Sequence, residues 1–304
     1  MATATRIRIC SAAALAISVS FAASAQPSLV KPGGTVRTIT IAYRAFDGHT
    51  SHATILLPHG YGPRRNPILP LVISPHGRGL DGERNAKRWG DLPSRARLAV
   101  VNPDGEGSHL SGRFSWGSPG QISDLARMPE ILAKALPWLR IDSRRIYAVG
   151  GSMGGQETLL LVARFPRLLA GAVAVDPLVD FARQYRNWND SAGAEKRTLA
   201  RREVGGTPST AAAAYATRSP ITDARAIASS GVPLQIWWTR TDRVVVDSRM
   251  QSGLLARRIR AINPGAPFRE VVGAWRHTAV MRADRDLPTM LAGLGLPDRL
   301  VSHR

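Results

Sequence analysis

The chain has 304 residues, with 41 basic against 22 acidic side chains and a formal net charge of +19. A hydrophobic fraction of 44% with Gly 28 and Pro 21 is that of a folded chain, not a disordered or low-complexity one. A single cysteine excludes an intrachain disulfide and a Cys-rich zinc site, and the seven histidines are scattered.

The first 25 residues carry Arg6 and Arg8, an apolar run over 9–23, and the small trio Ala23-Ser24-Ala25. A basic start, a short apolar middle and small residues before a cut predict a signal peptide over 1–25, cleaved after Ala25, and a secreted or periplasmic protein. The run is interrupted by Ser11, Ser18 and Ser20, and it is shorter than the roughly 20 residues of a spanning helix. No later apolar run reaches that length, so no transmembrane segment is expected in the mature chain. Cys10 would leave with the signal, and residues 26–304 are expected to form one domain.

Only Lys31, Lys87, Lys134 and Lys196 are lysines; the other basic residues are arginines without a dense tract. No recognition motif accompanies the charge, so no specific nucleic-acid partner is expected. Electrostatic contact with anionic cell-surface material fits the cationic surface.

Residues 36–43 and 52–57 read as strands around the turn Asp47-Gly48, and 60–70 as a Pro/Gly-rich loop. Short buried strands follow at 71–74 and 98–102, with a helix between them over 85–97. Leu125, Met128, Leu132, Leu136 and Leu139 recur at helical spacing and predict a helix over 122–139. Residues 146–149 form a buried strand entering a glycine cluster, and helical character resumes at 158–163. A strand over 169–175 precedes a stretch without alternation, read as an insertion or lid at about 177–217. Strands at 234–238 and 268–272 flank a helix around Met250, Leu254 and Ile259, N-capped by Asp247 or Ser248. A closing helix is predicted over 278–291. Alternating strands and helices imply an α/β fold: a mainly parallel sheet with helices on both faces.

The chemistry is expected at Gly150-Gly151-Ser152-Met153-Gly154, a G-x-S-x-G match between a buried strand and a helix. A sharp strand-to-helix turn lifts the serine hydroxyl above the sheet edge, and Gly150 and Gly154 let strand and helix approach. A nucleophilic serine needs a base, and the chain order for this turn is Ser, acid, His. Only His277 and His303 follow Ser152, and His303 is penultimate, which leaves His277. Asp242, after the strand at 234–238, is the acid of choice; Asp247 and Asp176 are the alternatives. Ser74-Pro75-His76-Gly77-Arg78-Gly79 supplies the second oxyanion donor, making the backbone N–H groups of Arg78 and Met153 the expected pair. His76 is read as a brace of that loop. Trp116, Trp237, Trp238 and Trp275 fall near loop ends and are candidates for a substrate pocket, though aromatics are more often core. Neither a phosphate-binding glycine loop nor a clustered metal-ligand set is present, so no cofactor and no metal is expected.

Together these residues resemble the α/β-hydrolase superfamily from about residue 36 to 296. Pro75-His76-Gly77 is similar to its oxyanion loop, Gly150 to Gly155 to its nucleophile elbow and Thr241-Asp242 to its acid turn. Ile141-Asp142 and Arg145-Ile146-Tyr147 before the elbow resemble secreted esterases of the polyhydroxybutyrate depolymerase and feruloyl esterase kinds. Ser219-Pro220-Ile221, with Pro233 and the Asp242 turn, resembles the catalytic domain of prolyl oligopeptidase-type peptidases, without their N-terminal propeller. Thr239-Arg240-Thr241 stands where the family usually has a glycine, and Trp275-Arg276-His277-Thr278 lacks the usual glycine beside the histidine. The resemblance implies a two-step acyl transfer on a small-molecule or polymeric ester; a peptidase acting on short peptides is the alternative. A non-catalytic cationic surface binder on the same fold is the third, opposed by the intact Ser152, Asp242 and His277.

Overall fold

The computed structural model describes residues 36–105, 114–189 and 191–296. The predicted signal peptide and His303 lie outside the described residues. Eight strands form one sheet: β1 Val36–Arg44, β2 Thr50–Pro58, β3 Leu69–Ile73, β4 Ala99–Pro103, β5 Ile141–Gly151, β6 Gly171–Val175, β7 Leu234–Thr239 and β8 Phe268–Gly273. Their order is β1-β2-β4-β3-β5-β6-β7-β8. The pairs β1–β2 and β2–β4 are antiparallel, and every pair from β4 across to β8 is parallel. Because β3, β4, β6, β7 and the second half of β5 are covered on both faces, they read as mostly apolar runs and not as alternation.

Alternate residues of each strand feed two cores. Leu71, Ile73, Ala148 and Ile236 pack on one face beneath α3 Pro119–Ala135, α4 Met153–Arg164, α8 Ala224–Ala228 and α9 Ser252–Ile262. Val72, Val100, Val149, Val173 and Trp237 pack on the other, beneath α1 Gly82–Ala86, α2 Leu92–Arg95 and α10 Leu287–Ala292. Full burial of one such aliphatic side chain stabilises by about 1.5–3 kcal/mol. A third cluster joins Trp116, Met153 and Leu178 to three helices of the 177–217 stretch: α5 Phe181–Asn187, α6 Ser191–Val204 and α7 Ala212–Thr217.

Several predicted elements differ from what is found: β5 and α4 each begin five residues earlier than expected, and four further differences have a local cause. The helix expected over 85–97 is two short ones, α1 and α2, because Gly90 takes φ 48° between them and Pro93 opens the second. The helix expected over 122–139 starts at Pro119, since Ser118 Oγ accepts from the Gln121 N–H at 3.2 Å. It stops at Ala135, where Pro137 pushes Leu136 out of the helical region. Neither Asp247 nor Ser248 caps α9: Asp247 pairs with Arg183 at 3.2 Å, Ser248 Oγ donates to the Thr239 carbonyl, and the helix begins at Ser252. The closing helix is only Leu287–Ala292, because Thr278 at φ 53° begins a run of turns.

Candidate active site

Ser152 sits at the junction of β5 and α4 with φ 60° and ψ −122°, a conformation that costs a non-glycine residue about 1–3 kcal/mol. The surroundings hold it there. Its N–H donates to the Val175 carbonyl at 2.9 Å, and its carbonyl accepts from Gln156 and Leu178 at 3.0 and 3.3 Å. A Cβ at Gly150 would collide with the Gly154 carbonyl, and one at Gly154 with the Pro75 carbonyl. The two glycines therefore let strand, helix and the 74–79 loop close on each other.

That loop comes within reach of the serine: a Cβ at Gly77 would stand 3.7 Å from Ser152 Cβ. His76 is buried and fastens the loop, with Nδ1 2.8 Å from the Gly77 carbonyl and Nε2 2.6 Å from the Asp104 carbonyl. The Arg78 and Met153 backbone N–H groups, the expected oxyanion donors, have no acceptor among the described residues.

On the other side, His277 Nδ1 is 2.8 Å from Asp242 Oδ2. Asp242 Oδ1 accepts from the Val244 and Val245 N–H groups at 2.8 and 3.0 Å, which fixes the carboxylate after β7. Thr278, next to His277, reaches back to the nucleophile turn: a Cβ at Gly151 would lie 3.0 Å from Thr278 Cγ2. Asp247, one alternative acid, is exposed and pairs with Arg183 at 3.2 Å.

Asp176, the other alternative, has a different place. It ends β6 buried, with φ 44°. Its Oδ2 accepts from Trp275 Nε1 at 3.0 Å and the Thr278 N–H at 2.7 Å, and its Oδ1 from the Thr239 N–H at 2.8 Å. One carboxylate thus ties the ends of β6 and β7 to the loop that carries His277. Burial pushes its pKa up, while the Thr278 N–H and the charge of His277 pull the other way. Donor atoms of Asp176, Asp242 and His277 lie within 4.8 Å of one another. Asp176 Oδ2 already takes two N–H donors and Asp242 Oδ2 faces His277, so this is a hydrogen-bonded hub and not a vacant cation cage. Arg88 Nη1 approaches Thr278 Oγ1 at 3.3 Å from beneath.

Of the four tryptophans proposed for a pocket, three belong elsewhere. Trp116 is buried against Phe181 and Trp188; Trp237 and Trp238 are buried with their indole N–H groups on Gln235 and Glu270. Each indole removes about 150–250 Å² from water when buried, which draws these three rings into the packed interior. Trp275 does line a cavity of about 710 Å³ with Thr241, Arg243, Val244, Ala274, Arg276 and His277.

Sequence reasoning also passed over Glu157, fully buried on α4, which accepts from Ser115 Oγ and has its pKa pushed up by burial. It anchors the turn that presents Trp116 to Met153. Only an acidic residue on an otherwise apolar helix face signalled it.

The arrangement is one that acyl transfer could use: a hydroxyl in a strained turn, an imidazole hydrogen-bonded to a buried carboxylate, and two backbone N–H groups without an acceptor among the described residues. Among the described residues no helix is long and apolar enough to cross a membrane. The profile of the prolyl oligopeptidase family matches residues 98–249, half of the chain. Poly(3-hydroxyalkanoate) depolymerase C of Paucimonas lemoignei is 27% identical over 112 residues, covering 35% of this chain and 27% of the depolymerase. A puromycin-hydrolyzing peptidase of Mycobacterium tuberculosis superposes with a TM-score of 0.65 at 20% identity, covering 86% of this chain and 39% of the peptidase. A fungal esterase of Rhizomucor miehei superposes with a TM-score of 0.63 at 16% identity, covering 90% and 87%. The chain therefore spans less than half of the depolymerase and of the peptidase, and most of the esterase. The sheet order and these superpositions make the fold that of the α/β-hydrolases.

Proposed function

The chain belongs to the prolyl oligopeptidase family, and on that premise we propose that it is an exported serine hydrolase that cleaves carboxylic ester bonds. His277 takes the proton of Ser152 Oγ as the oxygen attacks the substrate carbonyl. Asp242 holds the imidazole in its productive tautomer and stabilises the imidazolium. The Arg78 and Met153 N–H groups receive the oxyanion, and His277 passes its proton to the leaving oxygen. Water, activated by the same imidazole, then releases the acid and restores Ser152. Every proton and electron pair is accounted for by these side chains, the ester and water, so the step draws on no cofactor.

The observation that carries this reading is the 2.8 Å contact of His277 with Asp242 on the strand ends beside a strained Ser152 turn. The similarity to a poly(3-hydroxyalkanoate) depolymerase supports an ester as the bond, in a small molecule or a polymer. The family profile supports the second reading, a peptidase of the prolyl oligopeptidase kind. The sequence of residues 1–25 supports export, and the cationic composition supports contact with anionic cell-surface material.

Hydrolysis of matched p-nitrophenyl esters and p-nitroanilide peptides by wild type and Ser152→Ala separates the readings. Ester turnover that vanishes in the variant, with anilides uncleaved, is the expected result. Anilide cleavage equal to ester cleavage would replace it with the peptidase reading.

A further inference from the structure

The backbone of Arg78 serves the oxyanion loop, but its side chain is not explained by that role. The guanidinium is half-buried and desolvated enough that its pKa falls below the ordinary arginine value. It makes no hydrogen bond and no ion pair among the described residues. Glu195, exposed on α6, acts on it through its field without closing to an ion pair. Its Cζ stands 6.0 Å from the Phe114 ring, a loose contact that satisfies none of the five N–H donors. Phe114 in turn lies 5.7 Å from Trp116, whose N–H reaches Met153 Sδ at 3.3 Å, and Arg78 follows Gly77, whose Cβ position is 3.7 Å from Ser152 Cβ.

A half-buried guanidinium without a protein acceptor is ready to take a ligand that supplies two oxygens in charge-assisted hydrogen bonds. The cavity beside His277 is cationic as well, lined by Arg243 and Arg276. We propose that the Arg78 side chain is a substrate subsite that binds a carboxylate, so that the preferred esters are those whose acyl part carries a free acid. The planar fork of arginine fits a carboxylate in two parallel hydrogen bonds, which lysine cannot reproduce. The inference rests on the acyl-transfer reading above and names its substrate class.

The test compares kcat/KM for p-nitrophenyl hydrogen glutarate and p-nitrophenyl valerate, which share a chain length and differ in the terminal acid. Wild type should favour the anionic ester by about tenfold or more, and Arg78→Met should lower that ratio about 10- to 100-fold, as for a lost charged hydrogen bond. Arg78→Lys should retain part of the ratio. Free glutarate should also inhibit valerate hydrolysis by wild type competitively, which reads the subsite without any substitution. A ratio that is the same in wild type and Arg78→Met, or glutarate without effect at tens of millimolar, would overturn the proposal. Failure of the esterase reading looks different: neither ester would be turned over in a Ser152-dependent way.

Discussion

The Ser152 turn and the His277 loop meet at one sheet edge but are built by opposite means. The serine turn is made by removing atoms: Gly150 and Gly154 clear the space through which strand, helix and the Pro75 carbonyl approach. The histidine loop uses one such clearance, Gly273, where a Cβ would run into the Trp275 ring, but it is held chiefly by hydrogen bonds. It has Thr278 at φ 53°, a position costly for a β-branched residue, and holds it with the Thr278 N–H on Asp176 and Arg88 on the Thr278 hydroxyl. One half of the site is shaped by what is absent, the other by a buried charge 102 residues away in the chain.

That contrast orders the expected effects. Removing the chemistry itself is largest: Ser152→Ala or His277→Ala should lower kcat by about 10⁴-fold or more, with the fold intact by circular dichroism. Next, Gly154→Val should cost about 1–3 kcal/mol in thermal unfolding and about 100-fold in kcat, because a new side chain must push the 74–79 loop away.

Asp176→Asn strikes the other half. It keeps one acceptor but presents an N–H₂ to N–H donors, and kcat should fall while KM changes little. The imidazole is faced by the carboxylates of Asp242 and Asp176, with Arg88 and Arg276 as neighbouring cations. Loss of one negative charge disfavours the imidazolium, so the acid limb of the kcat/KM profile should move to lower pH. A limb that stays in place would make Asp176 a brace only.

Glu157 gives a smaller effect. Its carboxyl is raised above 4.5 by burial, so its folded form holds the proton better than the unfolded chain does. Stability from this group is therefore present below about pH 4.5 and lost as pH rises through its folded value. The thermal midpoint of wild type should decline relative to Glu157→Gln across that window. Thr278→Gly is the smallest: relief of the positive φ and the added entropy of glycine nearly cancel, which leaves the loss of the Arg88 bond to the Thr278 hydroxyl, about 1 kcal/mol.

The same contrast explains what the sequence revealed. The parallel sheet was legible because β3, β4, β6, β7 and the buried end of β5 are short, mostly apolar runs separated by helical periodicity, and Ser152 because a glycine motif is local in the chain. Chain order pointed to His277, and the strand end at 234–238 put Asp242 ahead of Asp247 and Asp176; neither needs contact information. Asp176 was visible only as one acid at a strand end, since its three donors come from β7 and the β8 loop. The short helices α1 and α2 were read as one because the turn at Gly90 interrupts an otherwise helical stretch. The tryptophans misled because position near a loop end does not say which way a ring packs; Trp116 turns into the cluster of α5 and α7, while Trp275 is held at the surface by Asp176.

The central claim, that Ser152 is a nucleophile activated through His277 and Asp242, is tested most directly by labelling with a fluorophosphonate and mapping the adduct by peptide mass spectrometry. The account predicts one adduct, on Ser152, formed quickly in wild type and about 10³-fold or more slowly in His277→Ala. An adduct on another serine, or labelling at an equal rate without His277, would contradict it.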